Sequence, residues 1–147
     1  MYTDLKSVQI LLSLMKSYDI DHIVICPGTR GMPLVHSVED DNYFKCYSIT
    51  DERSAGYFAL GLIQQLKKPA AVCCTSGTAV CNILSATAEA KFQRLPLLIL
   101  TGDRVEYDLD QYPDQMVPTK NLYTPVCKRS VHLPLMHDSL DEWRCRI

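Results

Sequence analysis

The sequence predicts an α/β fold, a largely parallel sheet with helices on both faces. Three observations predict it. Short continuous apolar runs recur at His22–Cys26, Ala70–Cys74 and Leu97–Thr101, as buried parallel strands require. Segments with helical spacing alternate with them. Each run, like the segment Phe44–Ile49 between the first two, is followed by a polar turn, and glycine occurs in three of these four turns.

The elements follow in order. Leu5, Val8, Leu11, Leu12 and Met15 recur at helical spacing, and Thr3 or Asp4 can cap that first helix. Asp19 and Asp21 mark the exit. The first strand, His22–Cys26, closes at Pro27-Gly28, and a second is expected at Phe44–Ile49. A helix from about Glu52 to Leu66 places Ala55, Phe58, Ala59, Leu62, Ile63 and Leu66 on its apolar side. The strand Ala70–Cys74 turns at Thr75–Thr78 into a helix from about Ala79 to Phe92, with Val80, Ile83, Leu84 and Thr87 toward the sheet. Leu97–Thr101 is the next strand, after Pro96. Gly102–Thr124 is rich in Asp, Tyr, Pro and Gln and reads as an irregular functional loop with at most a helical turn. A last strand is expected at Ser130–Leu133. The end, from Asp138 to Ile147, resembles a helix only just begun, as in a truncated chain.

Composition narrows the function classes. The 147 residues are 47% hydrophobic and 22% charged, the balance of one globular domain. A net charge of −2 argues against bulk attraction to nucleic acid or anionic membrane. No segment reaches the roughly 20 apolar residues of a membrane span, and the amino terminus lacks the basic region of a signal peptide. The seven cysteines, at 26, 46, 73, 74, 81, 127 and 145, lie mostly in apolar runs without metal-site spacing. They read as small buried hydrophobes in a reducing, cytoplasmic setting. Adjacent Cys73 and Cys74 should point to opposite faces of a strand. The four histidines, at 22, 36, 132 and 137, have no spacing that implies ligation or a triad.

Ligands in parallel sheets bind beyond the carboxyl ends of the strands. Those ends read Pro27-Gly28-Thr29-Arg30, Thr50-Asp51-Glu52-Arg53, Thr75-Ser76-Gly77-Thr78 and Thr101-Gly102-Asp103-Arg104. Two arginines, a glutamate and several hydroxyls on one rim exceed what turns alone require. Each also has an ordinary structural reading. Glu52 suits a helix start and can pair with Arg53. Arg30 and Arg104 can pair with Asp51 or Asp103, Gln115 can face solvent, and Thr75-Gly77-Thr78 can serve as a cap and tight turn.

In order and spacing, CPGTR at 26–30, DERSAGYFALG at 51–61, TSGTA at 75–79 and LTGDR at 100–104 resemble the amino-terminal, pyrimidine-binding domain of thiamine-diphosphate enzymes. CPGTR together with DER resembles most the menaquinone-pathway synthases, which join 2-oxoglutarate to isochorismate. The resemblance implies a pyrimidine-binding domain over residues 1–147. It implies that Glu52 is the catalytic acid: it would bond N1′ of the aminopyrimidine and favour the imino tautomer whose 4′-nitrogen takes the thiazolium C2 proton. A buried glutamate, its pKa raised by desolvation, suits that task. Thr75, Gly77 and Thr78 would line the cofactor edge with Glu52. Arg30 and Arg104, with Thr29 and Gln115, would bind the substrate carboxylates.

The same resemblance implies a diphosphate and Mg²⁺ held mainly by a separate domain with a G-D-G motif, absent from this sequence, and a homodimer that completes the site. The chain alone would then be inactive. Gly31-Met32, Val105 and Pro118–Asn121 depart from the family pattern, which leaves the acceptor substrate open. A subunit of another 2-oxo-acid decarboxylase, or a non-catalytic remnant that binds a partner subunit, are the alternatives.

Overall fold

Eight regular elements alternate in the computed structural model, which describes residues 3–103 and 117–133. They are α1 (Lys6–Ser17), β1 (His22–Ile25), α2 (Met32–Glu39), β2 (Lys45–Ser48), α3 (Glu52–Leu66), β3 (Ala70–Cys74), α4 (Thr78–Gln93) and β4 (Leu97–Thr101). The strands form one parallel sheet in the order β2-β1-β3-β4. In register, Ile25 lies beside Ser48 on one side and Cys73 on the other.

Alternation along the strands divides the core. Val24, Cys26, Val72 and Cys74 face α3 and α4, with Ala55, Ala59, Val80 and Ile83. Ile23, Ile25, Ala71 and Cys73 face the other way, with Leu12, Met15 and Val38 of α1 and α2. Cys73 and Cys74 therefore point to opposite faces, as expected. β1 and β3 are buried along their whole length because helices cover them on both sides.

Several sequence expectations are corrected. The first helix starts at Lys6 with Leu5 at its cap position and no side-chain cap; Thr3 Oγ1 instead accepts from the Leu5 amide at 3.3 Å. α2 shows no period in the sequence because it is short and fully buries only Ser37 and Val38. Ser37 satisfies itself by donating its hydroxyl to the Pro33 carbonyl at 2.6 Å. On α3, Phe58 and Leu66 are 41% and 42% exposed, and the buried stripe runs through Ala55, Gly56, Ala59, Leu60 and Ile63. α4 rather than the sheet alone sets that stripe: Leu60 and Ile63 pack with Ala86 and Ala90. Leu84 of α4 is only partly buried. Ser130–Leu133 is irregular, with Val131 49% exposed, because so short a polar-interrupted segment buries nothing against the sheet. The helix expected from Asp138 lies outside the described residues.

Helix α3 begins on a side-chain cap, Asp51 Oδ2 accepting from the Ser54 amide at 2.7 Å. Hydrogen bonding from Ser54, its side chain first and then this amide, holds the Asp51 carboxyl below its usual range. α3 and α4 both end on a basic residue in the left-handed region, Lys67 at φ 56° and Arg94 at φ 57°.

Charged pairs gather at the amino ends of the strands. Lys68 Nζ lies 3.0 Å from Asp19 and 3.1 Å from Asp21, and Lys16 Nζ lies 2.6 Å from Asp41. His22 sits beside them but is buried, stacked on Tyr47 at 5.9 Å, with Nδ1 lacking a partner among the described residues. Burial lowers its pKa below the ordinary 6.5, against the opposing pull of Asp21.

A pH dependence follows. The unfolded chain takes up the His22 proton more readily than the folded one, so stability is full above about 6.5 and falls as pH drops through the lower folded value. Thermal unfolding should show a decline from pH 7 to pH 5, where the carboxylates remain ionised. His22→Leu should flatten it; an equally steep decline in the variant would contradict this assignment.

Candidate functional site

The strand order reverses direction at β1 and β3. From β1 the chain leaves to α2 on one face, and from β3 to α4 on the other. A crevice at the carboxyl ends is the geometric result, and ligands settle there in such sheets.

Three of the four turns interlock. A Cβ on Gly28 would overlap the Thr75 side chain, and one on Gly102 would lie 3.0 Å from Arg30 Cβ. Gly102 is also tied to β3, its amide donating to the Cys74 carbonyl at 2.9 Å. Thr29 and Arg30 form a single 3₁₀ turn, Thr29–Gly31, and both are exposed. Thr75 is half-buried, Ser76 is buried and Thr78 is exposed at the first position of α4. Gly77 caps α4 at φ 73° and ψ −127°, a region only glycine enters without strain. No side chain caps that helix, so the threonine cap is not formed and the tight turn is. The structure thus gathers Thr29, Arg30, Thr75, Gly77 and Thr78. Arg104 and Gln115 lie outside the described residues.

Glu52 opens α3, held there by the Asp51 cap one residue earlier. It is half-buried rather than buried. Its partner is not Arg53: Asn82 Nδ2 donates to Oε2 at 3.0 Å. Among the described residues, Oε1 accepts no hydrogen bond. Its charge is felt at the ends of β1 and β3. Burial, then Glu52 and Asp51, push the Cys26 thiol up to about 11. Burial, with neighbouring Cys26, pushes Cys73 up to about 12. Cys74 is raised too, chiefly by burial. These three thiols are poor nucleophiles and act as core side chains. Cys46 and Cys81, by contrast, are exposed.

The sequence does not single out Asn82. It lies one turn beyond Thr78 on α4, which puts the two on one side of that helix, but helical periodicity marks exposed positions only as polar. A return of the chain over α4 is likewise not singled out. Tyr123 donates its hydroxyl to the Val80 carbonyl at 2.6 Å, and Leu122 and Tyr123 pack on the α3–α4 core. Burial raises the Tyr123 pKa strongly. Lys91 Nζ donates to the Pro125 carbonyl at 2.9 Å. The apolar pair Leu122-Tyr123 within a polar loop was the available signal. Beside β4, Asp103 Oδ2 accepts from Thr119 Oγ1 at 2.9 Å and lies 3.5 Å from His132 Nδ1. Among the described residues, no three His, Cys, Asp or Glu side chains converge as a metal site.

Residues 5–122 match the family described as thiamine pyrophosphate enzyme, N-terminal TPP binding domain. The chain is 43% identical over 145 residues to 2-succinyl-5-enolpyruvyl-6-hydroxy-3-cyclohexene-1-carboxylate synthase of Bacteroides fragilis, covering 99% of this chain and 26% of that protein. The protein of the same name from Flavobacterium psychrophilum is 39% identical over 122 residues, 83% of this chain and 22% of its own length. The chain therefore spans about a quarter of the length of these curated relatives. Among solved structures, benzoylformate decarboxylase from Polynucleobacter necessarius superposes with a TM-score of 0.70 at 22% identity, over 81% of this chain and 22% of that one. A thiamine diphosphate-dependent 4-hydroxybenzoylformate decarboxylase from Rhodococcus jostii gives 0.73 at 16% identity, over 82% and 23%. At those identities the likeness is one of fold.

The Gly77 backbone gives a direct test. Gly77→Ala should destabilise the chain by about 1–3 kcal/mol, because a Cβ is strained in that region. The midpoint of urea unfolding measures it, and an unshifted midpoint would show that the turn relaxes freely.

Proposed function

We propose a function from one premise: the chain belongs to the thiamine pyrophosphate enzyme family, as its N-terminal TPP binding domain. In our reading it supplies the pyrimidine-binding side of a synthase active site, with Glu52 as the catalytic acid. The observation that carries the reading is Glu52 itself. It stands at the carboxyl edge, fixed through one oxygen by Asn82, with the other oxygen unengaged among the described residues.

The residues present fit an aminopyrimidine. Oε1 is available to hold a proton toward a ring nitrogen, while Oε2 is fixed by a neutral donor that can neither take nor release one. Thr75, Gly77 and Thr78 lie at the same carboxyl edge, in the turn from β3 into α4, and in this proposal they line the edge of the ring. Bound there, thiamine diphosphate would supply the nucleophilic carbon for decarboxylating a 2-oxo acid. The diphosphate and its Mg²⁺ would be held by groups outside those described.

Arg30 and Thr29 are exposed on the same edge, and among the described residues Arg30 has no ion-pair partner. A guanidinium so placed can take a substrate carboxylate bidentately. Arg104 and Gln115 complete the carboxylate contacts in this proposal. With the relatives' identity over 99% of the chain, the proposed substrates are 2-oxoglutarate and isochorismate. The first loses carbon dioxide and its remaining four-carbon unit is joined to the second, a step of menaquinone biosynthesis. Tyr57 and Phe58, 47% and 41% exposed on α3, support a second subunit packing on this helix, as a homodimer. No described helix is long and apolar enough to cross a membrane. We place the enzyme in the cytoplasm.

In the holoenzyme, Glu52→Gln should lower turnover by at least about 100-fold while thiamine diphosphate still binds. Arg30→Ala should raise KM for the dicarboxylate about tenfold or more. Steady-state assays with 2-oxoglutarate and isochorismate check both, and undiminished turnover in Glu52→Gln would overturn the reading.

A further inference from the structure

Glu52 and Asn82 meet across two helices, and what brings those helices together lies one turn further in. Gly56 is four residues after Glu52, and Ala86 is four residues after Asn82. Each pair therefore shares a helix side. A Cβ built on Gly56 would lie 2.5 Å from Ala86 Cβ, so α3 and α4 approach at a separation only glycine permits. The two small residues fix the spacing, and the Asn82 amide then reaches the Glu52 carboxylate at 3.0 Å.

The donor's chemistry matters as much as its reach. Lysine or arginine at position 82 would hold the carboxylate ionised through a full charge. Aspartate would compete with Glu52 for the same proton. An amide does neither. It fixes one oxygen through a neutral bond and leaves any proton to the other.

We propose that Asn82 is a positioning residue for Glu52, and that the Gly56–Ala86 contact sets the distance at which it acts. The proposal rests on the reading of Glu52 given above. It adds a residue outside the four rim turns and a packing constraint outside the site.

Two measurements test it. In the 147-residue chain without cofactor, hydrogen exchange of the Asn82 side-chain amide is followed by NMR. Glu52→Ala and Gly56→Ala should each speed that exchange about tenfold. Gly56→Ala combined with Ala86→Gly, which returns the lost space, should restore the slow rate. In the holoenzyme, the exchange of the thiamine diphosphate C2 proton for deuterium is followed by quenched-flow NMR. Asn82→Asp, nearly the same shape but an acceptor, should slow that step about tenfold or more at neutral pH, with cofactor affinity within about twofold.

Unchanged C2 exchange in Asn82→Asp, or amide exchange indifferent to Glu52→Ala, overturns the proposal. The Asn82→Asp result decides even if Gly56→Ala does not fold, since Asn82 is exposed. A large effect of Glu52→Gln beside no effect of Asn82→Asp would remove the positioning role alone. No effect of either would remove the underlying reading as well.

Discussion

Two helices must share one face of a four-stranded sheet, and the room for both is made at Gly56. The β2-to-β3 connection passes over β1, so α3 lies above the centre of the sheet and α4 beside it. With Ala86 opposite Gly56, the helices close on each other without a gap, and alanines 55, 59, 79 and 90 fill the remaining space with small side chains. Interiors packed this tightly transmit displacement instead of absorbing it. That is why the start of α3 and the second turn of α4 stand in a defined relation at the carboxyl edge.

The two edges of the sheet are built differently. At the amino edge, Lys68 meets Asp19 and Asp21, and Lys16 meets Asp41 while lying 5.5 Å from the Tyr43 ring centroid. Such surface pairs contribute little each, but they leave these charged groups partnered. At the carboxyl edge, Arg30 and one oxygen of Glu52 have no counter-group among the described residues. Polar groups that the fold does not use are the ones available to a ligand.

Much of this was legible in the sequence. β3 and β4 lie where their apolar runs placed them, α3 spans Glu52–Leu66 as expected, and the rim turns fall at the expected strand ends. These features depend on local pattern, which a sequence displays. What was not legible depends on neighbours. Phe58 and Leu66 share the spacing of a buried stripe, yet α4 turns the stripe toward Gly56 and Leu60. α2 buries too little to show a period. Ser130–Leu133 has a strand's composition but gains no burial. Asn82 was invisible because its meaning lies in a contact 30 residues away in the chain.

The interlocked turns carry a consequence for how this surface can change over time. Gly28 abuts Thr75, and Gly102 abuts Arg30, so a side chain gained at either glycine needs a smaller or displaced neighbour on another strand's turn. Substitutions there act jointly, not one by one. A side chain at Gly28 would need a compensating change at Thr75, 47 positions along the chain. The three turns therefore constrain one another, and the crevice keeps its shape only where a change in one is matched by a change in its neighbour.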